Sequence, residues 1–168
     1  MVTMILDGYN VIHAVPELAH QLDRSLQSAR DALVNFCQAY HARRGSGQMY
    51  IVFDGQQDQG LGFSGQSQQG VSILFTQKPE EADQRILSVI EAQRGRSQCV
   101  VVSNDNEVAN NARAFGARIM SAQEFYAKAR QVATPGTQTP TSTGKKQLSP
   151  RDAQYITDEY RKHLDDAA

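Results

Sequence analysis

The chain is poor in the residues that usually carry cofactor or redox chemistry. Its 168 residues include two cysteines, Cys37 and Cys99. They lack CxxC spacing and sit in apolar helical and strand contexts. A disulfide scaffold is thereby excluded, and both read as reduced, buried small hydrophobes. The four histidines, His13, His20, His41 and His163, show no metal-ligand spacing, so no zinc site is expected. They read as surface or packing residues, with His13 near enough to Asp7 in sequence to meet a substrate. No apolar run approaches the roughly 20 residues of a membrane helix. No basic n-region precedes an apolar h-region, so no secretory signal and a cytoplasmic location are expected. No Ser/His/Asp or Cys/His constellation stands out, no P-loop is present, and no GxGxxG follows a strand. With a net charge of −1, the chain is not a strongly basic nucleic-acid binder. That sum still permits acids for a metal beside a local basic patch.

What the chain does have is a repeated pattern. Four apolar runs end on carboxylates: Met4-Ile5-Leu6-Asp7, Tyr50-Ile51-Val52-Phe53-Asp54, Val71 to Thr76 followed by Glu80, Glu81 and Asp83, and Val100-Val101-Val102-Ser103-Asn104-Asp105. Residues 2–6, 48–53, 71–76 and 98–102 read as buried strands, and Arg118-Ile119-Met120 as a short fifth. Between them lie helical patterns. A short turn follows Pro16. Residues 23–43 carry Leu26, Ala29, Leu33, Phe36, Cys37 and Tyr40 on one face, with Arg30, Asp31, Gln38 and Arg43 mostly off it. A helix opens at Pro79, with Glu80 and Glu81 in its first turn, and another at Asp105 or Asn106. Ser121 to Glu124 fits a capping box opening a last helix to about Val132.

Strand and helix alternate, so the expected fold is α/β: three layers, α/β/α, around a central parallel sheet of about five strands. The Gln/Gly/Ser-rich segment Gly55–Gly70 reads as a mobile loop. Three regions are expected: a domain over 1–132, a flexible linker over 133–149, and a C-terminal helix over 150–168 with a thin stripe of Tyr155, Ile156, Tyr160 and Leu164.

In an open parallel sheet the C-terminal strand ends share one edge, and ligands bind in the crevice there. Acids far apart in sequence would converge on that crevice. They would stay ionised together only with a cation among them. Each acid also has a plainer reading. Asp7-Gly8 and Asp54-Gly55 suit turns, Glu80 and Glu81 suit a helix N-terminus, and Asp105 suits an N-cap. Their joint occurrence at four successive strand ends argues for a divalent-metal site. A phospho-acceptor receiver would need paired acids after the first strand and a Lys after the fifth; Asp7 stands alone, and Ile119-Met120-Ser121 has no Lys.

The steps Asp7-Gly8-Tyr9-Asn10-Val11-Ile12, Val52-Phe53-Asp54, Phe75-Thr76 with Glu80-Glu81-Ala82-Asp83, and Val102-Ser103-Asn104-Asp105 together resemble the YacP-type NYN domain of the PIN-like nuclease superfamily, over about residues 2–132. The resemblance implies a PIN-like fold and a Mg²⁺- or Mn²⁺-dependent endoribonuclease acting on single-stranded RNA. Members include a ribosome-associated factor that cleaves messenger RNA, so messenger RNA and the ribosome are the implied partners. It places Asp7, Glu80, Asp83 and Asp105 at the acidic positions that hold metal, with Asn10 beside them. Asp54, Glu81 and Asn104 support them, and Glu81 competes for the role given to Glu80. RNA contacts are expected from Lys78, Arg43, Arg44, Arg85 and Tyr9, with Phe63, Lys145 and Lys146 as further candidates. Each cation also reads as a solvated surface charge, and Tyr9 equally as packing on the sheet edge. Gln56–Gly70 has no Lys or Arg where relatives tend to be basic. That absence motivates the alternative of a non-catalytic RNA- or ribosome-binding module.

Overall fold

Runs of β-branched and aliphatic residues without alternation become the inner strands, because both their faces are covered. A computed structural model describes residues 1–45, 47–55, 67–76 and 79–133. The strands are β1 (Thr3–Asp7), β2 (Gln48–Phe53), β3 (Ser67–Gln68), β4 (Val71–Phe75), β5 (Cys99–Val102) and β6 (Arg118–Met120). The helices are α1 (Gly8–Ala14), α2 (Pro16–Ala19), α3 (Leu26–Arg44), α4 (Ala82–Ala92), α5 (Asn106–Ala114) and α6 (Ala122–Ala133). The sheet order is β3-β4-β2-β1-β5-β6. Five strands are parallel, as expected, and the two-residue β3 adds an antiparallel edge on β4. All of these elements lie in the unit Met1–Pro135; the unit Gly136–Ala168 falls outside the described residues. So do the expected linker from 134 onward, the C-terminal helix and most of the expected loop.

Each face of the sheet has its own core. Leu6, Ile51, Phe53 and Val102 pack with Val11 and Ile12 of α1, Leu33 and Cys37 of α3, and Phe125 of α6. Ile5, Val52 and Val101 pack with Ile86 and Ile90 of α4 and Val108 and Ala112 of α5. Both cysteines are buried and free.

The structure departs from the sequence expectation in three places. Gly8–Ala14 is a helix, where Asp7-Gly8 also suits a turn. Glycine is needed there because an added Cβ would strike the Phe53 ring and the Val52 carbonyl. Helix α4 starts at Ala82 rather than Pro79. Glu81 is extended at its N-cap, and Glu80 reaches forward to Arg85. Arg30, expected mostly off the apolar face of α3, is 6% exposed. It lies three residues before Leu33 and four before Val34, on the inward stripe, whereas Leu26, expected on that face, is exposed in the first turn of α3. Its guanidinium stacks over the rings of Tyr9, Phe53 and Phe75 and donates to the Tyr9 hydroxyl.

Candidate active site

The chain leaves β1 into α1 on one face and leaves β5 into α5 on the other. β1 and β5 are neighbours, so the two departing loops diverge and open a crevice at their C-terminal ends. Asp7, the last residue of β1, faces this crevice region. Its Oδ2 accepts from Ser103 Oγ at 3.1 Å. Burial pushes its pKa up to about 6; the Ser103 hydroxyl and an Asn10 backbone bond oppose that rise, and the charges of Asp83 and Asp105 add to it.

Asp105 caps α5. Its Oδ1 accepts from the backbone N–H of Glu107 at 2.7 Å and of Val108 at 3.3 Å. Its own N–H donates to Ser103 Oγ at 3.1 Å, so one buried hydroxyl joins both aspartates. Asp83, the second residue of α4, makes no hydrogen bond or ion pair among the described residues. Burial raises its pKa first, then the charges of Asp105, Glu107, Glu81 and Asp54. Asp7, Asp83 and Asp105 therefore feel one another pairwise, from three separate elements.

The other predicted residues are placed as follows. Asn10 Oδ1 accepts from the Asn104 N–H at 2.7 Å. The Asn104 side chain bridges Gln123 at 2.9 Å and the Ala122 N–H at 2.8 Å, tying the crevice to α6. Asp54 accepts from the buried Thr76 hydroxyl at 2.7 Å. Glu80 pairs with Arg85 at 2.7 Å and is not among the charges acting on Asp7 or Asp83, whereas Glu81 acts on Asp83. The Arg85 Nε is buried with no partner among the described residues. Tyr9 packs on Phe53, ring centres 5.2 Å apart. Arg43 and Arg44 end α3 and adjoin Gln48 at the start of β2, the opposite end of the sheet from Asp7. Lys78 and Phe63 lie outside the described residues.

Sequence reasoning did not give site roles to Ser103, Thr76 or Glu107. The first two were visible as small hydroxyls just before or after strand ends, and Glu107 as an acid in the first turn after Asp105. Beside Asp105 runs an open polar groove of about 370 Å³, lined by Ser103, Asn104, Asn106, Arg113, Ser121 and Gln123.

Among the described residues, no group of three or more His, Cys, Asp or Glu side chains is close enough to hold a metal ion. The donor chemistry nonetheless suits a hard cation. Mg²⁺ and its like take oxygen ligands and keep most of their waters, and one or two carboxylates suffice.

A parallel sheet ordered β4-β2-β1-β5-β6, with carboxylates gathered where the order reverses, is the PIN-like nuclease fold. The YacP-like NYN domain model matches residues 4–168. The chain belongs to that family. The match runs past the motifs that end near residue 132. YacP of Bacillus subtilis (strain 168) is 34% identical over 89 residues, 53% of this chain and 51% of that protein; the alignment thus spans about half the length of this curated relative. The crystal structure of Rae1 (YacP) from Bacillus subtilis superposes with a TM-score of 0.67 at 25% identity, covering 99% of this chain and 84% of that one. A variant of the same protein gives 0.65 at 26% identity, over 78% and 76%.

Proposed function

We propose that this protein is an endoribonuclease that cleaves single-stranded RNA with Mg²⁺ or Mn²⁺. The observation that carries the reading is the gathering of carboxylates at the C-terminal strand ends, where the Ser103 hydroxyl bonds both the Asp7 carboxylate and the Asp105 N–H and where the charges of Asp83 and Asp105 add to the burial that raises Asp7. Such a cluster is unfavourable at neutral pH without a cation, and a cation is what phosphodiester hydrolysis needs. When bound, a divalent ion polarises the phosphoryl group and neutralises developing charge.

The chain's own residues do the rest. Asp7 and Asp83 hold the cation. Asp105 has one oxygen committed to the α5 backbone, and its Oδ2, free of hydrogen bonds among the described residues, would meet the water shell that a hard cation keeps. Ser103 fixes the spacing between Asp7 and Asp105. Glu81, rather than Glu80, is the better-placed acid to accept a proton from an attacking water. Asn10 and Asn104 set the crevice wall. Arg85, part-exposed and paired with Glu80, takes a phosphate oxygen through its terminal nitrogens, and the groove beside Asp105 takes the flanking nucleotides. Messenger RNA as substrate, the ribosome as setting and a cytoplasmic location rest on the family resemblance. Among the described residues no helix is long and apolar enough to cross a membrane.

The test is cleavage of a mixed-sequence single-stranded RNA with Mn²⁺, with Mg²⁺ and with chelator. Metal-dependent internal cuts that vanish in Asp83→Asn support the proposal; equal cutting by that variant overturns it. The commitment of Asp105 to a helix cap and of Glu80 to Arg85 favours a second reading, a binding module without catalysis. RNA binding indifferent to chelator, with no cleavage, would establish that instead.

A further inference from the structure

The N-terminal ends of the strands form an edge opposite the acids, and its charge is reversed. Arg43 and Arg44 end α3 beside the start of β2. Arg94 follows α4, Arg96 lies in the 3-10 turn Arg96–Gln98 that leads into β5, and Arg118 opens β6 opposite Val100. All five are exposed. The Met1 ammonium joins them, donating to Gln98 at 2.9 Å. Among the described residues Arg94, Arg96 and Arg118 make no hydrogen bond or ion pair. The nearest carboxylate along the chain is Glu91, which is also unpaired. Three strand steps separate β2 from β6, so at about 4.8 Å each these cations spread over about 14 Å.

Helix dipoles explain part of this. Arg43, Arg44 and Arg94 sit at or just past helix C-termini, where cations are favoured. Arg96 lies against Gly116, just past the C-terminus of α5, so the same preference reaches it, whereas Arg118 stands four residues beyond that helix, past its last turn. Exposed apolar side chains at this edge are Met1 and Val2, and its other exposed residues, Gln48, Ser97 and Gln98, are polar. A protein partner would want a larger apolar centre. Exposed guanidinium groups at this spacing fit phosphates, which they bind bidentately.

We propose that this edge docks the phosphate backbone of a folded RNA, apart from the strand held at the acids. The proposal extends the RNA reading to a second surface and depends on binding rather than on cleavage. Its test is fluorescence anisotropy of the full chain with a short RNA hairpin, in chelator, over a salt series. The probe variant is Arg94→Gln/Arg96→Gln/Arg118→Gln, with the corresponding Arg→Lys variant as a charge-preserving control. The Gln variant should bind at least about tenfold more weakly and lower the salt slope by about 2 to 3, near 0.7–0.9 per lost phosphate contact. The Lys variant should keep most of the slope. Cleavage of a short unstructured oligonucleotide should be the same in all three proteins. Wild-type affinity and slope in the Gln variant would overturn the proposal, as would equal loss in the Lys variant. A protein that cleaves nothing yet loses hairpin binding in the Gln variant would leave this edge standing and remove the nuclease reading.

Discussion

At one end of the sheet, Asp7, Asp83 and Asp105 come within reach of one another's charge, and burial first, with that repulsion second, raises the pKa values of Asp7 and Asp83. At the other end, Arg94, Arg96 and Arg118 stand exposed and unpaired among the described residues. The acids are fixed by the backbone: Asp7 by its place in β1, Asp105 by the cap of α5, Asp83 by the first turn of α4. The arginines are fixed by little beyond their Cα positions. Rigid, partly desolvated charge suits a site where geometry decides a reaction. Flexible, hydrated charge suits a surface where only the sign of the partner matters. On the proposed reading, the same fold separates catalysis from docking along its strands.

The largest effect should come from Asp7→Asn. Losing a central carboxylate should lower RNA cleavage by about a thousandfold or more, the several kcal/mol that a bound cation supplies. The same substitution should stabilise the fold. The folded-state pKa of about 6 lies above the ordinary 3.8. Between those values the folded chain keeps a proton that the unfolded chain has lost. Stability of the wild type in chelator therefore falls as pH rises from about 4 to about 6 and is flat above. Asn has no proton to lose, so the variant should lack that slope and gain up to about 3 kcal/mol at neutral pH. Urea melts at several pH values check this, and identical slopes in both proteins would contradict the burial of Asp7.

Gly8→Ala comes next. Its Cβ would meet the Phe53 ring and the Val52 carbonyl, so α1 must shift, at about 1–3 kcal/mol. The shift should carry Asn10 with it and depress cleavage more than a generic loss of stability would. Smallest is Ser103→Ala. It removes the donor to Asp7 and the acceptor for the Asp105 N–H, at about 1 kcal/mol. It should also raise the Asp7 pKa further, which NMR titration of the carboxyl reads directly. No change there would mean that the shared hydroxyl does not link the two aspartates.

Much of this was legible in the sequence because the inner strands are unbroken apolar runs and each ends on an acid or a short polar step. Three-layer order, parallel pairing and the convergence of Asp7, Asp83 and Asp105 follow from that pattern. Side-chain choices between neighbours did not. Whether Glu80 or Glu81 acts on Asp83 depends on where α4 begins, and the structure starts it at Ala82 with Glu80 turned to Arg85, five residues on. Arg30 shows the same limit. Its charge suggests solvent, but three aromatic rings and the Tyr9 hydroxyl receive it, and two of those rings lie on distant strands. The position of Arg43 and Arg44 far from the acids follows from the direction of α3, which a list of basic residues does not convey.

The most direct test of the central claim is Mn²⁺ titration calorimetry on the full chain and on Asp7→Asn/Asp83→Asn, at a pH above 6. One binding event is expected in the wild type and none in the double variant. Equal binding by both proteins, or none by either, would contradict a cation site built on these aspartates.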